Sequence, residues 1–381
     1  MTLAEPLRFE WQNEEELDAS LLVLENIPAV YCIEVPNGQP LIGRTAVLKR
    51  RMVRLLGERV SKAQSRVLSL RGLANQVSYW PTPSRLESAL IFYAVARHFH
   101  PGTYKKVVNL RFPSYVRLIL NNDFPRTQVT TQLRATGGVL YGPFRNRVSA
   151  EEFERAVLDL FQLRRCQEDL HPSPEHPGCI YGEMNLCLRP CQTVVGVAEY
   201  ATEAARIEDF LRTDGASMLE SLEAQRDRLS QDMDFEQAAR IHKRLEKVKE
   251  VVRQRDPLAF SLEHQFGVAI NRSLEPNVVQ LRFLWEGCWR DRVEFRLELI
   301  EGRPVSMDRR LREVVEGLSK DLYPLAEKQE HLSLLWRWFY SSFRDGEWLS
   351  FDQPNTVPYR KLVNAINRVL NPQVDSIQSQ S

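Results

Sequence analysis

Residues 166–191 carry four prolines and four cysteines and show no helical or strand periodicity. Proline fixes φ and removes a backbone donor, so such a stretch is neither a helix nor a central strand. Something other than its own backbone ladder must hold it. It also divides the 381 residues into two parts of different patterning. Short alternating stretches and amphipathic runs precede it, and an almost unbroken helical run, 199–253, follows. A chain this long exceeds one small core, so several modules are expected.

Upstream, Val30–Val35 alternates and runs into Pro36-Asn37-Gly38-Gln39. Asn-Gly tolerates positive φ and predicts a hairpin, with Pro40–Thr45 as the return strand. An amphipathic helix from about Ala46 follows, with Leu48, Met52, Leu55 and Leu56 on one face, and a second is expected over Ser61–Leu73. Val77–Trp80 reads as a strand. Ser84 opens a long helix, Arg85–Phe99, which stops before Pro101-Gly102. This order predicts a small α/β domain with a short mixed sheet. Tyr115–Leu120 and Gln128–Leu133 are strand candidates, and Ala150–Leu163 reads as a helix. The later helical run breaks near Asp214-Gly215 and Asp232–Asp234. Phe266–Leu299 alternates again and predicts a separate β unit. Arg309–Leu370 reads as mostly helical and Ser376–Ser381 as a frayed end.

The net charge of +1 conceals a strong asymmetry. Between Pro40 and Ala150 there are 19 Lys and Arg against three acids, Glu58, Glu87 and Asp123. The first 39 residues hold eight acids against one Arg. A segment this basic, and this poor in acids, is the footprint of a polyanion site rather than an ordinary solvated surface. No apolar stretch approaches the ~20 residues of a membrane helix, and the acidic N-terminus does not resemble a signal peptide. A cytoplasmic location follows, where thiols stay reduced.

In that compartment the six cysteines do not read as three disulfides. Cys166, Cys179, Cys187 and Cys191 are separated by twelve, seven and three residues, wider than the usual zinc pairs. Four thiols in a Pro-rich loop still argue for a metal, and soft thiolates suit zinc or iron–sulfur. His171 and His176 lie between the first two and are alternative ligands. Cys32 and Cys288 sit in strand-like stretches and read as core.

The helical run contains two apolar stripes, Leu219/Leu222/Leu229/Met233 and Ala238/Ile241/Leu245/Val248/Val252. Between them Asp234 is placed to cap the second helix, with Gln237 three residues on. This predicts an antiparallel helical hairpin, either a docking element for a partner or a hairpin packed on its own chain. Trp285, Trp289, Trp336, Trp338 and Trp348 are stacking candidates for bases, although aromatics of this kind more often fill cores.

Taken together, Ala29-Val30-Tyr31, Leu41-Ile42-Gly43-Arg44 and Leu48-Lys49-Arg50-Arg51 resemble the GIY-YIG nuclease fold. Tyr141-Gly142-Pro143-Phe144, the four cysteines, and Asp234-Phe235-Glu236-Gln237-Ala238-Ala239-Arg240 then follow in the order seen in the UvrC family of excinucleases. The resemblance covers about residues 23–255. It implies an α+β multidomain protein: a GIY-YIG-like α/β domain (23–106), a strand-rich connection and helix (107–160), a cysteine-rich metal region (161–196), a helical region with a UVR motif (197–255), and a C-terminal β then helical unit (256–381). It further implies a role in nucleotide excision repair and the SOS response, a four-iron cluster on Cys166, Cys179, Cys187 and Cys191, and DNA as a partner. The UVR motif implies a UvrB-like helicase as the other partner, contacted by Phe235 as apolar anchor and by Glu236, Ala238, Ala239 and Arg240.

In the family the N-terminal domain cuts DNA 3′ of a lesion, with a tyrosine activating water, a glutamate holding a divalent metal, and basic side chains stabilising developing charge. Here Tyr31 and Arg51 match, Arg44 replaces a lysine, and Gly43 keeps the close-approach glycine. The second tyrosine is Leu41, and another family tyrosine falls near Leu55. Counting back from Pro101 places the metal-binding glutamate at Phe92, and a phenyl ring is no ligand for a hard cation. Leu41 and Phe92 are read as hydrophobes filling a vacated pocket. Glu87 lies over a turn away and completes a Ser84-x-x-Glu87 capping spacing. Tyr31, Arg44 and Arg51 thus form a remnant site, with Gly43, Lys49, Arg50, Arg54, Lys105, Lys106 and Arg111 as DNA-binding candidates and Mg only if cutting survives. The family's C-terminal ribonuclease H-like nuclease and helix–hairpin–helix modules have no counterpart, since no Asp/Asp/His set stands out after Arg253. The expected function is a DNA- and UvrB-binding repair protein with impaired or no 3′ incision. The alternatives are an active single-incision endonuclease and a UVR adaptor for another partner.

Overall fold

The computed structural model describes residues 3–36, 38–58, 69–134, 137–297, 299–300, 303–304, 306–319 and 321–371. Its N-terminal part runs β1 (Leu7–Glu10), α1 (Glu14–Val23), β2 (Ala29–Glu34), β3 (Leu41–Thr45), α2 (Leu48–Leu56), β4 (Gln76–Pro81), α3 (Arg85–Phe99) and α4 (Tyr104–Val108). The strands form one sheet in the order β1-β4-β2-β3. Every pairing is antiparallel, which corrects the expected mixed sheet. Asn37 and residues 61–68 of the second expected helix lie outside the described residues. The described remainder of that stretch, 69–73, is not helical and ends in a turn.

Successive side chains of a strand point to opposite faces, and β2 is buried on both. Tyr31 and Ile33 pack with Leu17, Met52 and Leu55 from α1 and α2. Val30 and Cys32 pack with Leu86, Leu90 and Phe92 from α3. The long α3 begins where Ser84 Oγ accepts the Glu87 N–H at 3.1 Å, a common N-cap bond.

A second antiparallel sheet joins β5 (Ser114–Ile119), β6 (Arg126–Thr130), β7 (Gly138–Phe144) and β8 (Phe260–Ser261) in the order β6-β5-β7-β8. The helix α5 (Arg147–Leu158) packs on it and stops short of the expected Leu163. Gly142 has φ +148° and its backbone presses on Tyr115, where a Cβ would lie 2.7 Å from the ring; only glycine fits. The cysteine stretch contains one short helix, α6 (Ile180–Glu183), and a 3-10 turn at Pro190–Gln192.

Next come α7 (Val197–Arg212), α8 (Ala216–Gln231) and α9 (Phe235–Arg253), broken at the two expected places. Leu222, Leu245, Val248 and Val251 join Val116, Phe153 and Phe210 in one core with the second sheet and α7.

The C-terminal part is β9 (Phe266–Arg272), β10 (Val278–Trp285), β11 (Cys288–Trp289), β12 (Val293–Arg296), β13 (Leu299–Ile300), β14 (Arg303–Pro304), α10 (Met307–Glu316), α11 (Leu325–Phe339), β15 (Glu347–Phe351) and α12 (Tyr359–Leu370). The sheet runs β11-β10-β9-β15, with β12 pairing β10. The strand β15 falls in a stretch read as mostly helical. Helix α11 and Trp289 share a core with α3, so the C-terminal part packs directly on the N-terminal helix. Cys32, Cys288, Trp285, Trp289 and Trp338 are buried, whereas Trp336 and Trp348 are half-buried. Among the described residues no helix is long and apolar enough to cross a membrane.

Candidate functional site

Tyr31 faces Gly43 across the β2–β3 pairing. A Cβ on Gly43 would lie 2.5 Å from Tyr31 Cζ, so the ring crosses the glycine backbone in a way no larger residue permits. Arg51 Nε, from α2, donates to the Tyr31 hydroxyl at 2.9 Å. Tyr31 is 1% exposed and its hydroxyl reaches out to the half-buried guanidinium. Tyr31, Gly43 and Arg51 therefore form one unit. Among the described residues no carboxylate pairs with Arg51.

Arg44 and Phe92 form a different unit. Alternation along β3 turns Arg44 to the α3 side, where its guanidinium stacks 5.0 Å above the Phe92 ring. Phe92 is 8% exposed and packs with Val30, Leu90 and Trp80. Leu41 lies opposite Ile33 and packs with the Tyr31 and Leu55 cluster. Leu41 and Phe92 thus do not fill one vacated pocket as expected; they belong to cores on opposite faces of the sheet, because their strand and helix partners alternate.

Glu87 is the one acid in α3. It is buried, and its carboxylate takes Arg282 in two bonds of 2.9 and 3.0 Å, with Arg292 at 3.5 Å. The expected capping spacing is half realised: Ser84 caps the helix, but the Glu87 side chain reaches the C-terminal sheet instead of turning back. A bidentate Arg–carboxylate pair leaves that group little capacity for a metal.

The basic candidates divide as well. Arg50, Arg54, Lys106 and Arg111 are exposed. Lys49 Nζ donates to the Leu22 carbonyl at 2.5 Å, tying α2 to α1. Lys105 is not a free cation, since it pairs with Glu330 at 2.8 Å. Glu330 also accepts from Tyr93 at 2.6 Å and Tyr104 at 2.9 Å. Burial alone would raise the Glu330 pKa, but these three donors outweigh it and hold the carboxyl below its usual range. Neither this network nor Arg282 carried a signal in the sequence, because the partners lie far apart in the chain.

The cysteine loop is pinned by Arg164, 4% exposed, whose guanidinium bonds the carbonyls of Phe124 and Glu168 and lies 3.6 Å from Cys166 Sγ. The Arg189 N–H donates to Cys187 Sγ at 3.4 Å. Burial, and then the charges of Cys166, Cys179 and Cys191, push the Cys187 thiol up to about 11. His176 Nδ1 accepts the Gly178 N–H at 3.0 Å, inside its own turn. Among the described residues no three His, Cys, Asp or Glu side chains converge as on a single metal ion.

The α8–α9 hairpin has a buried base and a bare tip. Leu245 and Val248 are fully buried, whereas Met233 is 77% and Phe235 66% exposed. Asp234 accepts the Gln237 N–H at 3.1 Å and caps α9. Glu236 and Arg240 pair with each other at 2.5 Å in the open, and Ala238 is buried while Ala239 is exposed. The base of the hairpin therefore packs on its own chain, while its tip stands exposed.

Residues 115–210 match the family described as "UvrC/Cho excinuclease, middle domain", and residues 216–251 match the "UvrB/uvrC motif". The UvrABC system protein C of Clostridium perfringens (strain SM101 / Type A) is 23% identical over 287 residues, 75% of this chain and 46% of that protein. That of Acetivibrio thermocellus is 24% identical over 286 residues, 74% and 45% of the two chains. That of Thermoanaerobacter sp. (strain X514) is 20% identical over 309 residues, 81% and 49%. The matched part of the chain spans about half the length of these curated relatives. No solved structure matches the chain.

Proposed function

We propose that this chain, which carries the middle domain and the UVR motif of the UvrC proteins, serves excision repair by binding DNA and a UvrB-like partner without metal-dependent 3′ incision. The observation that carries this reading is Glu87. A GIY-YIG-type site needs a carboxylate from its long helix to hold a divalent metal at the phosphate. The single acid of α3 is instead bound by Arg282 of the C-terminal sheet, and Phe92 fills the position the resemblance assigns to the ligand. The Tyr31–Arg51 pair remains on the other face and has the means to engage a phosphate oxygen but not to hold Mg. In this reading Arg44, Arg50, Arg54 and Arg111 contribute phosphate contacts, and the exposed Phe235 tip reaches the UvrB-like partner.

The four thiols suit an iron–sulfur cluster in this reading. The donor set is all sulfur, a backbone N–H and a buried arginine stand ready to stabilise thiolates, and the loop has little regular structure of its own. Cys166, Cys179, Cys187 and Cys191 would hold the cluster. Its role would be to fix the loop between the second sheet and the helical hairpin.

The test is incision. Purified protein incubated with damaged duplex and Mg is expected to retain the DNA but leave it uncut. Specific nicks that disappear in Tyr31→Phe would overturn the proposal and establish the alternative, a single-incision endonuclease.

A further inference from the structure

Helix α11 lies beyond both matched family segments, yet it lines two adjoining clefts with the N-terminal part. The first, of about 550 Å³, is bounded by Arg44, Thr82 and Ser88 on one side and by Arg337, Trp338 and Ser341 on the other. The second, of about 440 Å³, is lined by Asn109, Arg111, Arg145, Asn146, Trp336, Arg337 and Tyr340. Arg337 belongs to both.

The linings of these clefts hold more arginine than acid. Among the described residues Arg44 has no hydrogen bond or ion pair, only the Phe92 ring beneath it. Desolvation by the cleft walls, and then the charge of Arg337, draw its pKa down. Arg44 and Arg337 are both exposed and both line the first cleft, so an anion entering it is open to both guanidinium groups. Asp345 is the one acid lining the first cleft. Its carboxylate accepts the Arg85 backbone N–H at 2.6 Å and the Trp338 indole N–H at 2.9 Å, and its single charge stands against Arg44, Arg85 and Arg337 in the same lining. No acid lines the second cleft. Arg337 itself keeps spare donors after bonding the Val108 and Asn109 carbonyls at 3.1 and 3.3 Å through Nη1.

The second cleft differs from the first in its chemistry. It adds an indole, a phenol and two carboxamides to the arginines. Aromatic faces and amide edges suit an unpaired base, and guanidinium groups suit phosphate. A duplex, whose bases are stacked away, has no use for the aromatic wall.

We propose that the junction of the N-terminal sheet with α11 is a binding groove for single-stranded DNA, with backbone phosphate held between Arg44 and Arg337 and an unpaired base lodged against Trp336 beside Arg111 and Arg145. The groove rests on the DNA-binding reading above and refines it, naming the strand form and making the C-terminal helix a working part of the site.

The experiment titrates the whole chain with a labelled single strand and a duplex of equal length over a range of salt. The single strand is expected to bind more tightly. Arg44→Ala and Arg337→Ala should each weaken it roughly five- to tenfold at low salt and reduce the slope of log affinity against log salt by about 1. Trp336→Ala should weaken it roughly tenfold while leaving duplex affinity nearly unchanged. Arg337→Lys preserves the charge and should keep most of the affinity, which separates phosphate binding from damage to the α11 contact. Single-strand affinities and salt slopes unchanged in Arg44→Ala, Arg337→Ala and Trp336→Ala would overturn the groove while leaving DNA binding by the chain intact. Wild-type protein that binds neither form would overturn both readings.

Discussion

The C-terminal part meets the N-terminal helix α3 in two ways. At Glu87 and Glu330 the buried carboxylates are answered: Glu87 takes Arg282 and Arg292, and Glu330 takes Tyr93, Tyr104 and Lys105. Around Arg44 and Arg337 the cleft carries three arginines, Arg44, Arg85 and Arg337, against the single acid Asp345, whose hydrogen bonds come from neutral donors. The same interface thus contains a saturated half and an unsaturated half. Saturated polar groups hold parts together, because removing either member leaves a buried charge unpaired. Unsaturated cations add little to folding and await an anion from outside. The single acid of α3 is thus a structural bond, whereas Arg44 has no ion pair among the described residues and Arg337 bonds only backbone carbonyls.

The largest expected effect comes from breaking the saturated half. Glu87→Ala leaves Arg282, itself 7% exposed, without its carboxylate. Losing one partner of a buried pair typically costs about 3–5 kcal/mol, and urea unfolding should register a loss of that order. A loss below about 1 kcal/mol would mean that the Glu87–Arg282 bond does not join the two parts, and Glu87 would again be open to another role.

A smaller effect is expected at the same interface with acid. His331 is fully buried, and its Nδ1 accepts the Trp289 N–H at 3.1 Å. Burial foremost, with Arg97 and Arg290 adding and Glu330 opposing, lowers its pKa to about 3. The folded chain therefore keeps this ring neutral while the unfolded chain protonates it near 6.5. The unfolded state binds more protons between those values, so the contribution is present above about 6.5 and is lost progressively as pH falls toward 3. At pH 5 the loss amounts to roughly 2 kcal/mol relative to pH 7. Asp214, whose carboxyl burial raises, works in the opposite sense. The measurement is therefore a difference: the stability curve of His331→Asn should be flatter than wild type between pH 7 and 5. Parallel curves would show that His331 titrates alike in both states.

These two effects mark what the sequence could and could not reveal. Helix α3 was legible to the residue because Ser84 and Pro101 punctuate a periodic run, and the hairpin breaks were legible because Asp214-Gly215 and Asp232–Asp234 interrupt the stripes. The β2–β3 hairpin was legible from its alternation and Asn-Gly. The strand β1 was not, since Leu7–Glu10 is short and largely exposed and draws its order from pairing with β4. Phe260–Ser261 and Glu347–Phe351 likewise become strands only because distant strands offer them edges. At the site, the identities of Tyr31, Gly43, Arg51, Leu41 and Phe92 were readable, whereas a single pocket holding them all was an expectation the sheet does not meet. The period-2 rule separates Tyr31 from Arg44 across the sheet and divides the expected pocket in two. Arg282 as the partner of Glu87, and Arg337 as the neighbour of Arg44, are tertiary facts with no local trace.

The smallest effect on folding belongs to the unsaturated half, and it is the most discriminating. Arg44→Ala removes a guanidinium that contacts an aromatic ring at 5.0 Å and is opposed by Arg337. An exposed cation–π contact contributes about 0.5–1 kcal/mol, and relief of the like-charge pair offsets part of that. The expected change in unfolding free energy is therefore under about 1 kcal/mol in either direction. If Arg44 is free for an anion, added single-stranded DNA should raise the melting temperature of wild type more than that of Arg44→Ala, because a ligand stabilises the fold in proportion to its affinity for the native state. A destabilisation of about 3 kcal/mol or more, on the scale expected for Glu87→Ala, would place Arg44 among the groups that hold the two parts together, and the distinction between the two halves of the interface would fail.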